Sequence, residues 1–304
     1  MRVALSAGGI LYSLNLCADG FHLTITRSNS APVITWTNVN AATVLESATS
    51  PNGSWSQMPE AASPFVVNLT NSARFYRLYL ACVTAPAGIV SWWPGNGNVN
   101  DIISADNGAL LGSATFANGK VGQAFSFDGN SGCAVIPASD SLNPTGPFSV
   151  EFWIRASSVQ FYPQVLLVDK SHGWTDSTGW LFQTFPNQGT VGFGFGLGGP
   201  TVVNFPLVAT ATSVFDDQWH HLAGVWTGSE LQIYLDGGLQ GTLAETNSPV
   251  NNSRGVEFGR SWGGGTPTRY FHGLIDEVSY YNTALSSNQV NAIYTAGAAG
   301  KCNP

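Results

Sequence analysis

Between residues 89 and 297 the chain runs in short apolar segments, each cut off by a turn. Phe148-Ser149-Val150-Glu151-Phe152-Trp153-Ile154 alternates, the period of a β-strand with two distinct faces. Ala124–Phe127 stops at Asp128-Gly129-Asn130, and His221–Trp226 stops at Thr227-Gly228-Ser229. Leu231–Leu235 meets Asp236-Gly237, a dipeptide that favours tight hairpins. Many short strands at regular spacing predict an all-β fold, a sandwich or jelly roll of antiparallel strands. One helix is expected at Asn288–Tyr294, capped by Ser286 or Ser287 and stopped by Gly297.

Composition fits that reading. Of 304 residues, 43% are hydrophobic and 12% aromatic, enough for a packed core. Only 10% are charged, against roughly 25% in an average globular protein. Eleven Lys and Arg against eighteen acids give a net charge of −7, too few cations to assemble a basic patch. Nucleic acid and anionic membrane are therefore excluded as expected partners. No apolar run approaches the roughly 18 residues of a transmembrane helix.

Three regions are expected. Residues 1–30 read either as a leader, with Arg2 before an apolar run ending near Cys17, or as an irregular start. Residues 31–81 read as a small β module. Its strands are PVITWTNV, TVLESA, PFVVNL and RFYRLYL, with a turn at Pro51-Asn52-Gly53-Ser54. Their order resembles small β modules repeated in large secreted bacterial proteins. Residues 82–304 form the larger domain. No CxxC occurs among Cys17, Cys82, Cys133 and Cys302, which disfavours a zinc knuckle. Cys82 and Cys302 bracket the larger domain and suit a disulfide closing it, which implies an oxidising compartment. Cys133, in the apolar run Cys133–Ile136, reads as a buried free thiol.

The order SWWPGNGNVND, GKVGQAFSFDGN, FSVEFWIR, DDQWHHLAGVW, LQIYLDGGLQG, FHGLIDEVSYYNTALS and AGAAGKC resembles a LamG-like domain. That family sits within the concanavalin A-like lectin and glucanase superfamily. The resemblance implies two antiparallel sheets and leaves function open, because this fold hosts lectins, adhesion modules and glycosidases. It also implies a structural Ca²⁺, carried over by motif onto Asp101, Asp128, Gly129 and Asp276. Ca²⁺ takes hard oxygen ligands, and an ionised Asp276 in an apolar strand needs a partner. Asp101 as a turn cap and Asp276 as an acceptor of backbone N–H groups are the alternative.

Strict alternation sends Asp276 and Glu277 to opposite faces, so they cannot flank one glycosidic bond. Glu151 has Ser149 and Trp153 as its neighbours by alternation, with no second acid in a glucanase-like spacing. His220 could act as a base only if Asp216, Asp217 or a metal lay beside it. No GxSxG or HExxH motif occurs. Aromatic residues in Gly/Ser/Thr-rich stretches are the candidates for a sugar platform: Tyr162, Trp174, Trp180 and Trp262, with Arg269 beside them. The sequence thus points to a secreted or cell-surface, Ca²⁺-stabilised module that binds a glycan or surface polymer. The alternative is a Ca²⁺-dependent hydrolase on the same fold.

Overall fold

The computed structural model describes residues 2–6, 9–10, 23–28, 31–36, 43–50, 52–58, 61, 63–68, 74–80, 82–162, 164–171, 177–185, 188–199, 205–263 and 266–304. The chain divides into two compact units, Met1–Val83 and Thr84–Pro304.

In the first unit, one antiparallel sheet has the order Gly9–Ile10, Arg2–Ser6, Arg74–Leu80, Thr43–Ala48 and Ser56–Met58. A second has Leu23–Ser28, Ala31–Trp36 and Phe65–Val66. Ile34, Trp36, Leu45, Val67 and Tyr76 form a small core. Within residues 1–30, read from the sequence as a leader or an irregular start, the structure describes strands Arg2–Ser6, Gly9–Ile10 and Leu23–Ser28. The alternation Leu23-Thr24-Ile25-Thr26 is the signal that marks the last of them.

The second unit is an all-β sandwich. One sheet runs Ala109–Leu111, Cys133–Ile136, Val256–Phe258, Leu166–Asp169, Trp180–Thr184, Val191–Phe195 and Leu207–Ala209. The other runs Thr115–Asn118, Gln123–Asp128, His272–Tyr281, Phe148–Ala156, Trp219–Trp226, Glu230–Leu235 and Gly238–Ala244. Between them lies one large core in which Phe148 touches Trp180, Phe193, Phe195, Trp226 and Tyr280.

Local chemistry explains the edges. Leu235 pairs with Gly238, so Asp236 and Gly237 form a two-residue turn, with φ +51° and +75°. That is the left-handed pair a hairpin with the natural strand twist requires. The helix spans Ser287–Ala296, and Ser286 caps it through the amide of Gln289. Its Tyr294 stacks on Trp153, ring centroids 5.8 Å apart, so the helix covers the outer face of the second sheet. Cys133 is a buried free thiol, and Cys82 and Cys302 are disulfide-bonded. No helix among the described residues is long and apolar enough to cross a membrane.

Candidate functional site

Along Phe148–Ala156, Phe148, Val150, Phe152 and Ile154 enter the core, which sends Ser149, Glu151 and Trp153 to the outer face. Nearly all of that face is buried as well. The C-terminal segment covers it, with Lys301 placing its ammonium 2.9 Å from Glu151. His221 Nε2 lies 3.1 Å from the other carboxylate oxygen, and the Tyr281 hydroxyl donates to Glu151 Oε1. Glu151 is thus the hub of a buried network.

The last strand, His272–Tyr281, pairs on one side with Phe148–Ala156 along most of its length. On its other side the partner changes. Gln123–Asp128 pairs with it up to Ile275, and Ile89–Trp93 takes over from Val278. Asp276 and Glu277 fall in the gap between the two partners. There the register also slips: Asp276 faces Trp153 and Ser279 faces Glu151, so two residues oppose Phe152 alone. Glu277 is that bulge, with φ +59°.

The bulge corrects the expectation from alternation. Ile275, Val278 and Tyr280 all reach the core, and both acids are left on the outer face. Asp276 Oδ2 accepts the Val121 amide at 2.9 Å. Glu277 Oε2 accepts the Trp92 indole N–H at 3.1 Å and lies 3.5 Å from Lys301. The two side chains therefore tie the gap to Val121 and to Trp92.

The electrostatics follow from burial. Desolvation alone would raise the Glu151 carboxyl, but Lys301 and His221 outweigh it and hold it at about 2. Desolvation raises Glu277, with Lys301 opposing. Desolvation raises Asp276 to about 8, and the Glu277 charge adds to the rise. Asp276 Oδ1 is buried without a hydrogen-bond partner. At neutral pH this carboxyl is mostly protonated.

Of the residues expected to hold calcium, Asp128 and its neighbour Gly129 stand apart from Asp276. Asp101 Oδ1 accepts the amides of Trp92, Ile103 and Ser104, and its Oδ2 accepts the Ser104 hydroxyl. Asp128 stands opposite His272, four residues from Asp276, or about 13 Å along a strand. Its Oδ1 accepts the amides of Asn130 and Ser131, and Gly129 continues that turn at φ +78°. Among the described residues no three His, Cys, Asp or Glu converge on a metal position.

The three acids weighed for glycosidase chemistry are closed to substrate. Glu151, Asp276 and Glu277 are 0%, 0% and 1% exposed, so none meets a glycosidic bond. His220 does have acids beside it: Nδ1 is 2.8 Å from Asp236 and Nε2 is 3.2 Å from Asp216. The Asp236 bond, opposed by burial and helped by Asp216, raises its pKa. In the protonated ring both nitrogens donate to carboxylates, and that form has no lone pair for a general base.

The expected sugar platform is redistributed. Trp180 is corrected to a core residue, 1% exposed, stacked on Tyr280 and donating its indole N–H to Leu142. The strand pattern of Trp180–Thr184, buried on both faces, overrides the Gly/Ser-rich context before it. Trp174 and the Trp262 side chain lie outside the described residues. Arg269 donates to Gln164 Oε1 at 3.1 Å, a structural contact.

Tyr162 is placed differently. It lines a cleft of about 350 Å³ with Phe215, Gln160, Gln188, Ser158 and Ser213. The loop that carries it is pinned to the start of the last strand. Gln160 donates to His272 O at 2.6 Å and accepts the His272 amide at 3.1 Å. His272 Nδ1 faces the Val159 carbonyl at 2.9 Å, so that nitrogen carries the proton. Beside the cleft, Phe161 is 53% exposed and stacks on the His272 ring at 5.1 Å. Gly189 closes the far wall, where a Cβ would stand 2.1 Å from Ser213 Oγ and 3.1 Å from the Phe215 ring. The residues that sequence reasoning missed are Lys301, Trp92, Phe215, Gln160 and Gln188; Trp92 and Lys301 stand in SWWPGNGNVND and AGAAGKC, where nothing local marks them as partners of Glu151 and Glu277.

Comparison with known proteins agrees with this architecture. No curated protein matches by sequence. Domain 4 of AbnA, an extracellular arabinanase of Geobacillus stearothermophilus solved with arabinotriose, is similar in structure. Its TM-score is 0.53 at 17% identity, covering 67% of this chain and 96% of that domain. The botulinum neurotoxin DC binding domain, solved with SialylT, gives 0.55 at 12% identity. The binding domain of Paraclostridial Mosquitocidal Protein 1 gives 0.54 at 13%. The match covers 69% and 68% of this chain and only about half, 52%, of each of those domains. A model of the concanavalin A-like lectin/glucanases superfamily matches residues 128–291, more than half of the chain. The chain belongs to the concanavalin A-like lectin/glucanases superfamily.

Proposed function

We propose that this protein is a non-catalytic carbohydrate-binding module, and that the cleft beside Tyr162 receives the sugar. The observation that carries this reading is the lining: two aromatic rings, Tyr162 and Phe215, with two amides and two hydroxyls and no charged side chain. Aromatic faces suit the C–H surface of a pyranose, and the Gln188 amide and the hydroxyls suit its O–H groups, the Gln160 amide being committed to Ser157 and His272. The volume, about 350 Å³, is at the low end of small-ligand sites, which run roughly 300–1,000 Å³. Structural neighbours solved with arabinotriose and SialylT support a glycan as the ligand class. The disulfide-bonded Cys82 and Cys302 support an extracytoplasmic location.

The test is a glycan array followed by calorimetry. Tyr162→Ala abolishes binding in a variant that stays folded, its melting temperature lowered only by the packing the ring makes on the core. Retained affinity in a folded Tyr162→Ala variant overturns the assignment.

A further inference from the structure

We propose that the loop tip Val159–Phe161 and the pocket beside it form a docking surface for a zwitterionic phospholipid bilayer. The tip enters the bilayer surface and the pocket holds a headgroup. The pocket shares no lining residue with the sugar cleft, so the two readings stand apart.

Large apolar side chains on a protein surface are normally scattered singly. Here two stand one residue apart, with Val159 61% exposed and Phe161 53% exposed. Gln160 between them turns back, donating to Ser157 O at 2.9 Å and to His272 O at 2.6 Å. The Ser157 amide donates to His272 O at 3.0 Å, and its hydroxyl accepts the Val159 amide at 3.1 Å. The Phe161 ring lies 9° from parallel to the His272 ring. Gly129 makes room for it, since a Cβ there would stand 2.5 Å from the Phe161 ring. The tip is thus held with both apolar groups outward, and a rigid tip loses little conformational freedom on docking.

His272 joins the tip to a pocket of about 240 Å³, lined also by Ser126, Arg155, Ser157, Asp217 and Leu274. Ser126, Leu274 and Arg155 stand in one row across three neighbouring strands. Phe125, Phe127, Ile154 and Ile275 enter the core, so that row is on the outer face. Arg155 Nε donates to Asp217 O at 2.9 Å, and its two Nη groups have no partner among the described residues. Asp217, at φ +63°, accepts the Ser158 hydroxyl on Oδ2 at 2.6 Å, and its Oδ1 is without a partner among the described residues. The pocket therefore offers a guanidinium fork beside a carboxylate. A phosphate that carries an ammonium group complements both.

Charge and size decide the occupant. The net charge of −7 opposes an anionic bilayer, and Asp217 in the lining opposes a bare anion. A phosphocholine or phosphoethanolamine headgroup meets neither penalty. Two side chains fall far short of the roughly 800 Å² per partner that a stable protein interface buries. Attachment to a bilayer surface needs only buried apolar area beside polar contacts to the headgroups.

The test is flotation of the full chain with vesicles of phosphatidylcholine, and of phosphatidylcholine mixed with phosphatidylglycerol. The vesicles carry no glycan, so the result does not depend on the sugar cleft. Wild type is expected to float with phosphatidylcholine, half bound at roughly millimolar lipid, because even a myristoyl chain gives only about 10⁴ M⁻¹. Phe161→Ser weakens binding about tenfold, and Val159→Ser weakens it less. Arg155→Gln weakens it about threefold. The mixed vesicles bind more weakly than phosphatidylcholine alone. Val159→Ser, at the more exposed position, carries the test if Phe161→Ser lowers the melting temperature. Wild type that does not float with phosphatidylcholine overturns the proposal, as do folded Val159→Ser and Phe161→Ser variants that both float as wild type. Arg155→Gln binding as wild type, or tighter binding to the mixed vesicles, overturns the headgroup assignment.

Discussion

Lys301 and Glu151, 150 residues apart in sequence, meet at 2.9 Å with both side chains sealed from water. The pair fastens the C-terminal segment onto the outer face of the sheet that carries the last strand. Lys301 also reaches Glu277 at 3.5 Å and sits over the Trp92 ring at 4.7 Å. One ammonium thereby neutralises acids from two strands.

Lys301→Met leaves Glu151 charged, buried and without its cation. The expected loss is about 3–5 kcal/mol in chemical denaturation at neutral pH. A second change, Glu151→Gln in the Lys301→Met background, recovers part of that loss. A Lys301→Met variant as stable as wild type shows the pair to be dispensable.

The same carboxylate sets an acid limb. Glu151 stands at about 2 in the folded chain against an ordinary 4.5. Its depressed value contributes stability that is fully present above about 4.5 and lost as pH falls toward 2. Glu151→Gln flattens this limb in a pH series of unfolding curves, and an unchanged limb assigns it to other acids.

Asp276 works in the opposite direction. Its folded value of about 8 exceeds the ordinary 3.8, so the folded chain binds the extra proton between those values. Its contribution therefore declines as pH rises from about 4 to 8. Asp276→Asn keeps the shape without the charge, removes that slope and melts higher than wild type at pH 8. Retention of the slope in the variant places the proton elsewhere.

Calcium offers an independent check on the same residue. Asp128 lies too far along the strand to share an ion with Asp276, and chelation tests whether Asp101 and Asp276 hold one without it. A melting temperature that drops on chelation and returns with Ca²⁺ restores the ion to the fold.

His220 lies between Asp236 and Asp216, and the Asp236 bond is the larger influence on its raised pKa. In an NMR titration its ring protonates above the ordinary 6.5, and Asp236→Asn lowers that value more than Asp216→Asn. Its contribution to stability is present below 6.5 and is lost as pH rises through the raised value. Equal effects of the two variants contradict the assignment.

The cleft has its own backbone test. Gly189→Ala places a methyl against Ser213 and Phe215 at a residue with φ +64°. Binding in the Tyr162 cleft is expected to weaken more than stability falls, read by calorimetry beside thermal melting.

Much of this was legible in the residues alone. Alternation at Phe148–Ile154, the Asp236-Gly237 turn and the Ser286 cap are local rules, written within a few residues of where they act. They determined the strands, the hairpin, the one helix and the all-β class. Cys82 and Cys302, expected from the sequence to form a disulfide, are both disulfide-bonded.

What the last strand does with its acids was decided elsewhere. The partner change between Ile275 and Val278 and the slip against Phe152 put Glu277 in a left-handed bulge, so both acids share one face. Trp180 likewise looked like a loop aromatic until the sheet buried it on both faces. The Tyr162 cleft joins residues 158–162, 188–189 and 213–215, and the Glu151 network joins residues 151, 221, 277 and 301. Alternation is a property of one strand and is read along the chain. Face, burial and charge pairing depend on which distant strand lies alongside, and only the tertiary structure fixes that.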